Sequence, residues 1–384
     1  MEEWKQDKLI DLLDSLIDYR GKTPRKVDKG IPLITAKIVK NGRIDTPTEF
    51  LDIEDYDNWM VRGFPKNGDV ILTTEAPLGE VAQLDDNKIA LAQRIVCLRG
   101  KKGVLDNTFL KYFLLSSLGQ ARLKARETGT TVTGIKQSEL KEVLIDYPPY
   151  KYQKQITSIL KSFDDKIELN RRINENLEQQ AQALFKSWFV DFEPFKDGKF
   201  VDSEQGMIPE GWKVGNLEEL VEVKYGKDHK KLAPGTIPVY GSGGIMRYVD
   251  QYLYNKESVL IPRKGSLNNV MYINRPFWTV DTMFYTRMKI EGIAKFIYLF
   301  MSPKDLLSMN SGSAVPSMTV DILNKIQIIT PPINIIQKFE CIMKPIFTKM
   351  DLCSYENQKL SQLRDTLLPR LMSGELEIKD NSYD

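Results

Sequence analysis

The chain has 384 residues, of which 42% are hydrophobic and 10% aromatic, and its formal net charge is +2. This length favours two domains, and the composition is that of a folded globular chain rather than a disordered one. The near-neutral charge excludes a globally basic nucleic-acid-binding protein, so any DNA-binding surface has to be a local basic face.

Cysteine use and hydropathy predict a cytoplasmic protein. Cys97, Cys341 and Cys353 are an odd number without the spacing of a metal or redox motif, which is typical of reduced thiols. The first residues lack the basic start and apolar stretch of a signal peptide, and no apolar run is long enough to span a membrane. The single histidine, His229, excludes a histidine-rich metal site.

The first 150 residues have the pattern of a mixed α+β domain. Ile31–Leu33 and Asp69–Leu72 are short apolar strands among turns, and Asn107–Ser117 is an amphipathic helix. Basic and hydroxyl side chains on loops can contact phosphates, and arginine can also read base edges. The DNA-binding candidates on these loops are Arg20, Lys22, Thr23, Thr73 and Thr131. For any one of them, an ordinary solvated turn is the alternative.

A long helix is predicted from Tyr152 to Phe189. Its apolar positions follow alternating steps of four and three, which is the heptad pattern of a coiled-coil seam. About 38 residues at 1.5 Å each give a length of roughly 57 Å. The seam residues are Ile156, Leu160, Phe163, Ile167, Asn174, Leu177 and Leu184.

Residues 193–211 are rich in charge, glycine and proline and are interpreted as a linker to a second mixed segment. That segment repeats the framework of the first, since Trp212 and Leu217 match Trp4 and Leu9. Its DNA-binding candidates are Lys227, Tyr240, Ser242, Arg263, Lys264 and Ser313. The Arg263–Lys264 pair is favoured because it lies at a strand end and is followed by a glycine.

A second helical segment repeats the first at an offset of 183 residues. The same offset relates Pro148–Pro149 to Pro331–Pro332 at the two helix entrances. The second seam consists of Phe339, Met343, Ile346, Met350, Asn357, Leu360 and Leu367. The two helices are predicted to pair antiparallel about a pseudo-twofold axis; pairing of each helix with another chain is the alternative.

Two features of the seam carry further expectations. Asn174 and Asn357 occupy equivalent positions, where a polar residue either specifies the register of the pair or faces solvent. Pro345 lies only in the second helix and has no backbone N–H to donate. It is expected to kink that helix or to delay its start.

No catalytic motif is complete. Asp146–Tyr150 resembles the Asp/Asn-Pro-Pro-Tyr signature of methyltransferases that modify DNA adenine, but Tyr147 separates the acid from the prolines. Gly129–Lys136 resembles a phosphate-binding loop, but Ile135 interrupts the required glycine-lysine step. The scattered acids have no metal-site spacing. The sequence therefore predicts no catalytic residue, metal site or cofactor.

Four longer motifs resemble those of the specificity subunit of a type I restriction-modification system, and the resemblance covers essentially the whole chain. They are Gln180–Phe192, Ile208–Trp212, Trp278–Phe284 and Leu367–Glu375. The resemblance implies an α+β fold in which two target recognition domains are joined and separated by two long antiparallel coiled-coil helices with pseudo-twofold symmetry. The expected divisions are recognition domains at 1–150 and 212–333, spacer helices at 151–192 and 334–375, the linker at 193–211 and a tail at 376–384.

The resemblance also implies a function. Each recognition domain would read one half of a bipartite, asymmetric sequence in double-stranded DNA. The helices would set the gap and dock two type I methyltransferase subunits, and restriction subunits that translocate and cut DNA would join them. S-adenosylmethionine and Mg-ATP would then belong to the partners, and this subunit would be non-catalytic. The alternatives are a stand-alone DNA methyltransferase or nuclease with a divergent core, and a purely architectural coiled-coil scaffold.

Overall fold

The computed structural model describes residues 4–19, 21, 23–86, 88–129, 133–309, 316–376 and 378. The chain forms two compact units. Unit 1 contains residues up to Leu169 and from Glu356 onward, and unit 2 contains Asn170–Tyr355. Each unit therefore combines one mixed segment with the beginning of one long helix and the end of the other.

The strands of the first mixed segment are β1 (Lys5–Lys8), β2 (Leu13–Asp18), β3 (Lys26–Val27), β4 (Ile31–Ile34), β5 (Val39–Lys40), β6 (Arg43–Ile44), β7 (Phe50–Leu51), β8 (Val70–Thr74), β9 (Leu78–Gln83), β10 (Ala90–Leu91), β11 (Ile95–Gly100) and β12 (Leu144–Tyr147). The helices are α1 (Leu9–Leu12), α2 (Tyr56–Trp59), α3 (Asn107–Leu115), α4 (Ser117–Lys124) and α5 (Gln137–Lys141), followed by the long helix α6 (Tyr150–Phe189).

The main sheet of unit 1 is antiparallel, in the order β2-β11-β8-β9, and a second sheet has the order β10-β4-β7-β3. Helix α3 begins where the Asp106 carboxylate accepts the N–H of Phe109, a typical N-cap. Its residues Phe109 and Phe113 are fully buried in one core with Val70 and Leu98 of the main sheet. Burial of these aromatic rings contributes about 1.5–3 kcal/mol each and joins the helix to the sheet.

The chain continues through a 3₁₀ turn (Glu193–Phe195) into β13 (Phe200–Val201), β14 (Ile208–Pro209), β15 (Lys213–Asn216), α7 (Leu217–Leu220), β16 (Val221–Tyr225), β17 (Pro234–Gly241), β18 (Gly244–Val249), β19 (Ser258–Pro262), β20 (Met271–Ile273), β21 (Trp278–Thr279), β22 (Met283–Met288), α8 (Ala294–Met301), α9 (Val320–Asn324), β23 (Gln327–Thr330) and the second long helix α10 (Ile333–Met372).

Unit 2 repeats the framework of unit 1. Its main sheet, β16-β22-β19-β20, is again antiparallel, and β17 pairs in parallel with β21 as β4 pairs with β10. The backbone bond from Val280 N–H to the Tyr240 oxygen (3.1 Å) corresponds to that from Ala92 N–H to the Ile34 oxygen (2.9 Å). The α+β fold with two related domains is confirmed.

The two long helices have identical lengths of 40 residues, and both their ends differ by the offset of 183. The expectation that Pro345 delays the start of the second helix is therefore wrong. Pro345 is exposed and lies inside α10. Proline removes one backbone donor and clashes with the preceding turn, a cost of about 3 kcal/mol, which the flanking packing of α10 outweighs.

Within each unit, the beginning of one long helix packs beside the end of the other. The core of unit 1 includes Ile156 and Leu160 of α6 with Leu371 of α10. The core of unit 2 includes Phe185 of α6 with Phe339 of α10. The helices therefore pair antiparallel in cis, as predicted. All the predicted seam residues are buried or half-buried.

Asn174 joins the two helices in unit 2. Its side-chain amide donates to the backbone oxygen of Met350 at 3.2 Å and to Ser354 Oγ at 3.1 Å. Of the two interpretations of this residue, the structure therefore favours pairing over exposure. Asn357 is half-buried.

The segment interpreted as a linker is folded. Strands β13 and β14 form a short hairpin, and the rings of Phe192 and Phe195 stand edge-on to Trp212 at 5.4 and 5.0 Å. In the described part of the chain, no helix has the length and apolar character needed to cross a membrane.

Candidate nucleic-acid interface

A cluster of polar and aromatic side chains lies where β16 and β19 of unit 2 end. The Arg263 backbone N–H donates to the Thr282 oxygen (2.9 Å), which continues the ladder one residue past β19. The Arg263 guanidinium lies 5.4 Å from the centre of the Tyr225 ring and donates from Nη1 to the Asp281 oxygen at 3.3 Å. Tyr225 is 54% exposed. A cation over an aromatic face is electrostatically attracted to it, so Tyr225 orients this arginine at the surface.

The turn between β17 and β18 lies beside the same cluster. Gly265 has a positive φ of 83°, a conformation that favours glycine, and a Cβ there would lie 2.6 Å from Ser242 Oγ, so the two turns are close together. The Asn269 side chain donates to the Ser242 oxygen at 2.7 Å. The structure thus brings together three predicted contacts, Ser242, Arg263 and Lys264. Lys264 is exposed.

Lys227 is exposed just beyond the end of β16. Its backbone N–H donates to the Thr279 oxygen (2.8 Å), and its oxygen accepts from Trp278 Nε1 (2.9 Å). The chain after β16 is therefore fixed by the strand β21, while the lysine side chain is left in solvent. Trp278, the first residue of the Trp278–Phe284 motif, therefore helps to fix the backbone at Lys227.

Unit 1 has a corresponding cluster. Thr23 is exposed, and its hydroxyl accepts from Gln93 Nε2 at 2.6 Å. Next to Gln93, Arg94 forms an ion pair with Glu75 at 2.9 Å, with the two side chains 53% and 37% exposed. In this cluster the arginine is paired with a carboxylate, whereas among the described residues none of the unit 2 cations Lys227, Arg263 and Lys264 forms an ion pair.

Comparison with known proteins identifies the family. The sequence matches the type I restriction modification DNA specificity domain over residues 1–179 and 209–362. It is 31% identical over 349 residues to the type I restriction enzyme MjaIX specificity subunit of Methanocaldococcus jannaschii, a match that covers 83% of this chain and 80% of the relative. The chain belongs to the type I specificity-subunit family.

Two further relatives agree. The type I restriction enzyme HindI specificity subunit of Haemophilus influenzae is 25% identical over 401 residues, covering 81% of this chain and 87% of the relative. The crystal structure of a type I restriction-modification system S subunit from M. genitalium has the same fold, with a TM-score of 0.57 at 21% identity over 98% of this chain and 97% of that one. Type I specificity subunits recognise DNA and act with methyltransferase and restriction subunits; the subunit itself is non-catalytic.

Two predicted contacts are interior residues of this specificity subunit. Thr73 is fully buried, and its hydroxyl accepts the backbone N–H of Glu80 at 2.9 Å. Tyr240 is only 4% exposed, and burial raises the pKa of its phenol. Both residues support the strands that position the surface turns. Arg20, Lys22, Thr131 and Ser313 lie outside the described residues.

Sequence reasoning missed three residues that the structure adds to the two clusters: Gln93, Arg94 and Tyr225. Gln93 and Arg94 lie between β10 and β11, and Tyr225 is the last residue of β16. All three reach their clusters through the pairing of strands that are distant in the chain. For Arg94, a signal exists only in the backbone, because its φ of 68° is rare for a non-glycine residue. For Tyr225, the available sequence signal was the next residue, Gly226, because glycine often marks a turn.

Ion clusters of buried and half-buried side chains connect each mixed segment to the long helices. In unit 1, Asp164 of α6 accepts from Lys111 Nζ (2.8 Å), Tyr112 OH (2.7 Å) and Arg364 Nη1 of α10 (2.8 Å). In unit 2, Lys295 of α8 pairs with Glu340 of α10 at 3.2 Å. These clusters join α3 and α8 of the mixed segments to the long helices.

Proposed function

We propose that this specificity subunit reads a DNA target in two parts, with unit 1 contacting one half-site and unit 2 the other. The contacts in unit 2 would come from Lys227, Ser242, Arg263 and Lys264, with Tyr225 orienting the arginine. Thr23 would contribute in unit 1, together with Gln93 and Arg94. Lysine, serine and threonine suit phosphate contacts, and arginine and glutamine suit base edges.

One observation carries the proposal that the two units read different sequences. The backbone of the two clusters is the same, since the bond from Arg263 N–H to the Thr282 oxygen (2.9 Å) corresponds to that from Thr74 N–H to the Arg94 oxygen (2.8 Å). The side chains at these positions differ in size and charge. A common frame with different surface groups supports one reader for each half of an asymmetric target.

The long helices are proposed to set the gap between the half-sites and to dock two methyltransferase subunits, which restriction subunits would join. Each helix is 40 residues long, so each spans about 60 Å at 1.5 Å per residue. The proposed recognition domains are residues 1–150 and 212–333, with the helices at 151–192 and 334–375, a connection at 193–211 and a tail at 376–384. A cytoplasmic location is proposed from the unpaired cysteines.

The DNA-contact proposal is tested by the double variant Arg263→Ala with Lys264→Ala. Loss of two cations is expected to weaken DNA binding by the assembled complex and to reduce the slope of log affinity against log salt by up to about two. Affinity is measured by titration at several salt concentrations. Lys325→Ala is the control, because Lys325 is an exposed cation of the same unit that pairs with Asp321 at 3.0 Å. Equal affinity and slope in both variants and the wild type would remove the pair from the interface.

The enzyme and scaffold alternatives are separated by two measurements. The purified chain alone is expected neither to methylate nor to cut DNA, and methylation is expected only after its methyltransferase subunits are added. Footprinting of that complex is expected to protect two short, separated sequences. Catalysis by the chain alone would favour an enzyme, and protection without sequence preference would favour a scaffold.

A further inference from the structure

In each unit, an arginine takes part in an equivalent backbone hydrogen bond, or rung, of the main sheet. In unit 2, the rung joins Arg263 N–H to the Thr282 oxygen; in unit 1, it joins Thr74 N–H to the Arg94 oxygen. In each unit, the residue after the one that donates makes an isolated bridge. Lys264 pairs with Ser317 in unit 2, and Glu75 pairs with Gly134 in unit 1. Ser317 and Gly134 are 183 residues apart, so the two rungs are equivalent. In unit 2 the arginine follows β19, which corresponds to β8. In unit 1 the arginine precedes β11, the strand that pairs with β8.

Arg94 has a conformation that a simple surface residue does not require. Its φ of 68° is in the left-handed region, which non-glycine residues rarely adopt. Such backbone strain is concentrated at functional sites, because the surrounding structure has to maintain it. The contact between Glu75 and Arg94 is through Nε. A guanidinium has five N–H donors, and the Arg94 side chain is 53% exposed, so the contact with Glu75 leaves donors for a further acceptor.

The Arg263 guanidinium is also held in place, but by an aromatic ring and a backbone oxygen instead of a carboxylate. The ring of Tyr225 and the Asp281 oxygen hold its guanidinium, and Tyr225 is itself braced by Phe284, whose ring centre lies 5.0 Å away in an edge-on arrangement. Among the described residues, no carboxylate lies within ion-pair distance of Arg263. A guanidinium that is fixed but not neutralised retains donors for an external acceptor.

We infer that Arg94 and Arg263 are the guanine-reading residues of units 1 and 2, one in each half-site. Two parallel N–H donors on a held guanidinium match the O6 and N7 acceptors of guanine in the major groove. Tyr225 is a positioning residue for Arg263, and Glu75 has that role for Arg94. The inference rests on the proposed function, because it specifies which base the proposed surfaces recognise.

The test is a map of methylated sites in a genome that expresses the chain with its methyltransferase subunits. Arg263→Ala is expected to make one guanine position degenerate in a single half-site, and Arg94→Ala one guanine position in the other half-site. Discrimination at that position should fall about 10- to 100-fold, as expected for loss of a bidentate contact. Arg263→Lys should have the same effect, because lysine keeps the charge but lacks the planar fork.

Matched variants separate base reading from general affinity. Lys264→Ala is expected to lower the yield of methylation while leaving both half-sites unchanged. Tyr225→Ala should relax the same guanine as Arg263→Ala, and Tyr225→Phe should restore it, since phenylalanine keeps the aromatic face. Failure of Tyr225→Phe to restore specificity would overturn the positioning role.

The outcomes distinguish this inference from the function on which it rests. If the wild-type complex yields no two-part sequence, the proposed function fails. If it does, and neither arginine variant changes a guanine position, the inference is overturned while the function stands. Should a variant abolish methylation, binding of the wild-type complex to duplexes carrying 7-deazaguanine decides. A loss of about 10-fold at one guanine per half-site is expected, and no loss at any guanine overturns the inference.

Discussion

At the scale of single residues, Asp164 is predicted to contribute strongly to stability. Its carboxylate accepts from Lys111, Tyr112 and Arg364. Asp164→Asn removes the counter-charge of Lys111 and one of the two carboxylates that pair with Arg364, the other being Asp365 at 2.9 Å. It is expected to lower the free energy of unfolding by about 3 kcal/mol, measured by urea denaturation. Asp165→Asn is the matched control. Its partner Lys161 and Asp165 itself are 54% and 62% exposed, so a loss below about 1 kcal/mol is expected. Equal losses would contradict the role of Asp164.

The same carboxylate makes stability depend on pH. Burial alone would raise the pKa of Asp164, but Lys111, Arg364 and Tyr112 lower it overall. Because the folded pKa is below the unfolded one, the stabilisation is complete above the unfolded value of about 3.9 and is lost as the pH falls through the folded value. We expect the stability difference between wild type and Asp164→Asn to be constant from neutral pH to about 5 and to shrink below about 4. A difference that grows on acidification would show the opposite sign.

At the scale of elements, the buried seam residues of α6 are expected to provide most of the stability that this helix gives to the fold. Leu160 is fully buried in the core of unit 1, whereas Leu169, on the same helix and in the same unit, is 50% exposed. Leu160→Ala is expected to cost about 2–5 kcal/mol of unfolding free energy because it leaves a cavity. Leu169→Ala is expected to stay within about 0.5 kcal/mol. Thermal and urea unfolding of both variants measures this difference, and similar costs would refute the assignment of the seam.

At the scale of the whole molecule, the proposed spacer role makes a quantitative prediction. Deleting residues 167–173 and 350–356 removes one heptad from each helix and preserves the phase of the seam. Seven residues at 1.5 Å shorten the spacer by about 10 Å, which is close to three base pairs at 3.4 Å each. The methylated target is expected to keep both half-sites and lose about three base pairs from its gap. An unchanged gap would contradict the spacer role, and altered half-sites would indicate damage to the recognition domains.

The seam of the long helices and the individual site residues could be predicted from the sequence to different extents. Heptad spacing located the seam because a helix places nearby residues on one face, and every predicted seam residue is at least half-buried. The same local logic misjudged Thr73 and Tyr240, which have polar groups suited to DNA but support strands inside the units. Arg94 was missed because its exposure depends on a ladder between strands separated by some twenty residues of chain, with strand ends that no local pattern marks.

The sequence by itself determined the repeat of 183 residues, the presence of two long helices and the membership of the family, since these depend on local periodicity and on motifs in order. Tertiary structure alone decided that Asn174 pairs with the facing helix, that α10 continues through Pro345, and that Arg94 and Arg263 occupy one equivalent rung. The physical reason is that burial and strand pairing depend on residues distant in the chain. Which side chains are exposed, and so able to contact DNA, is therefore decided by the tertiary structure.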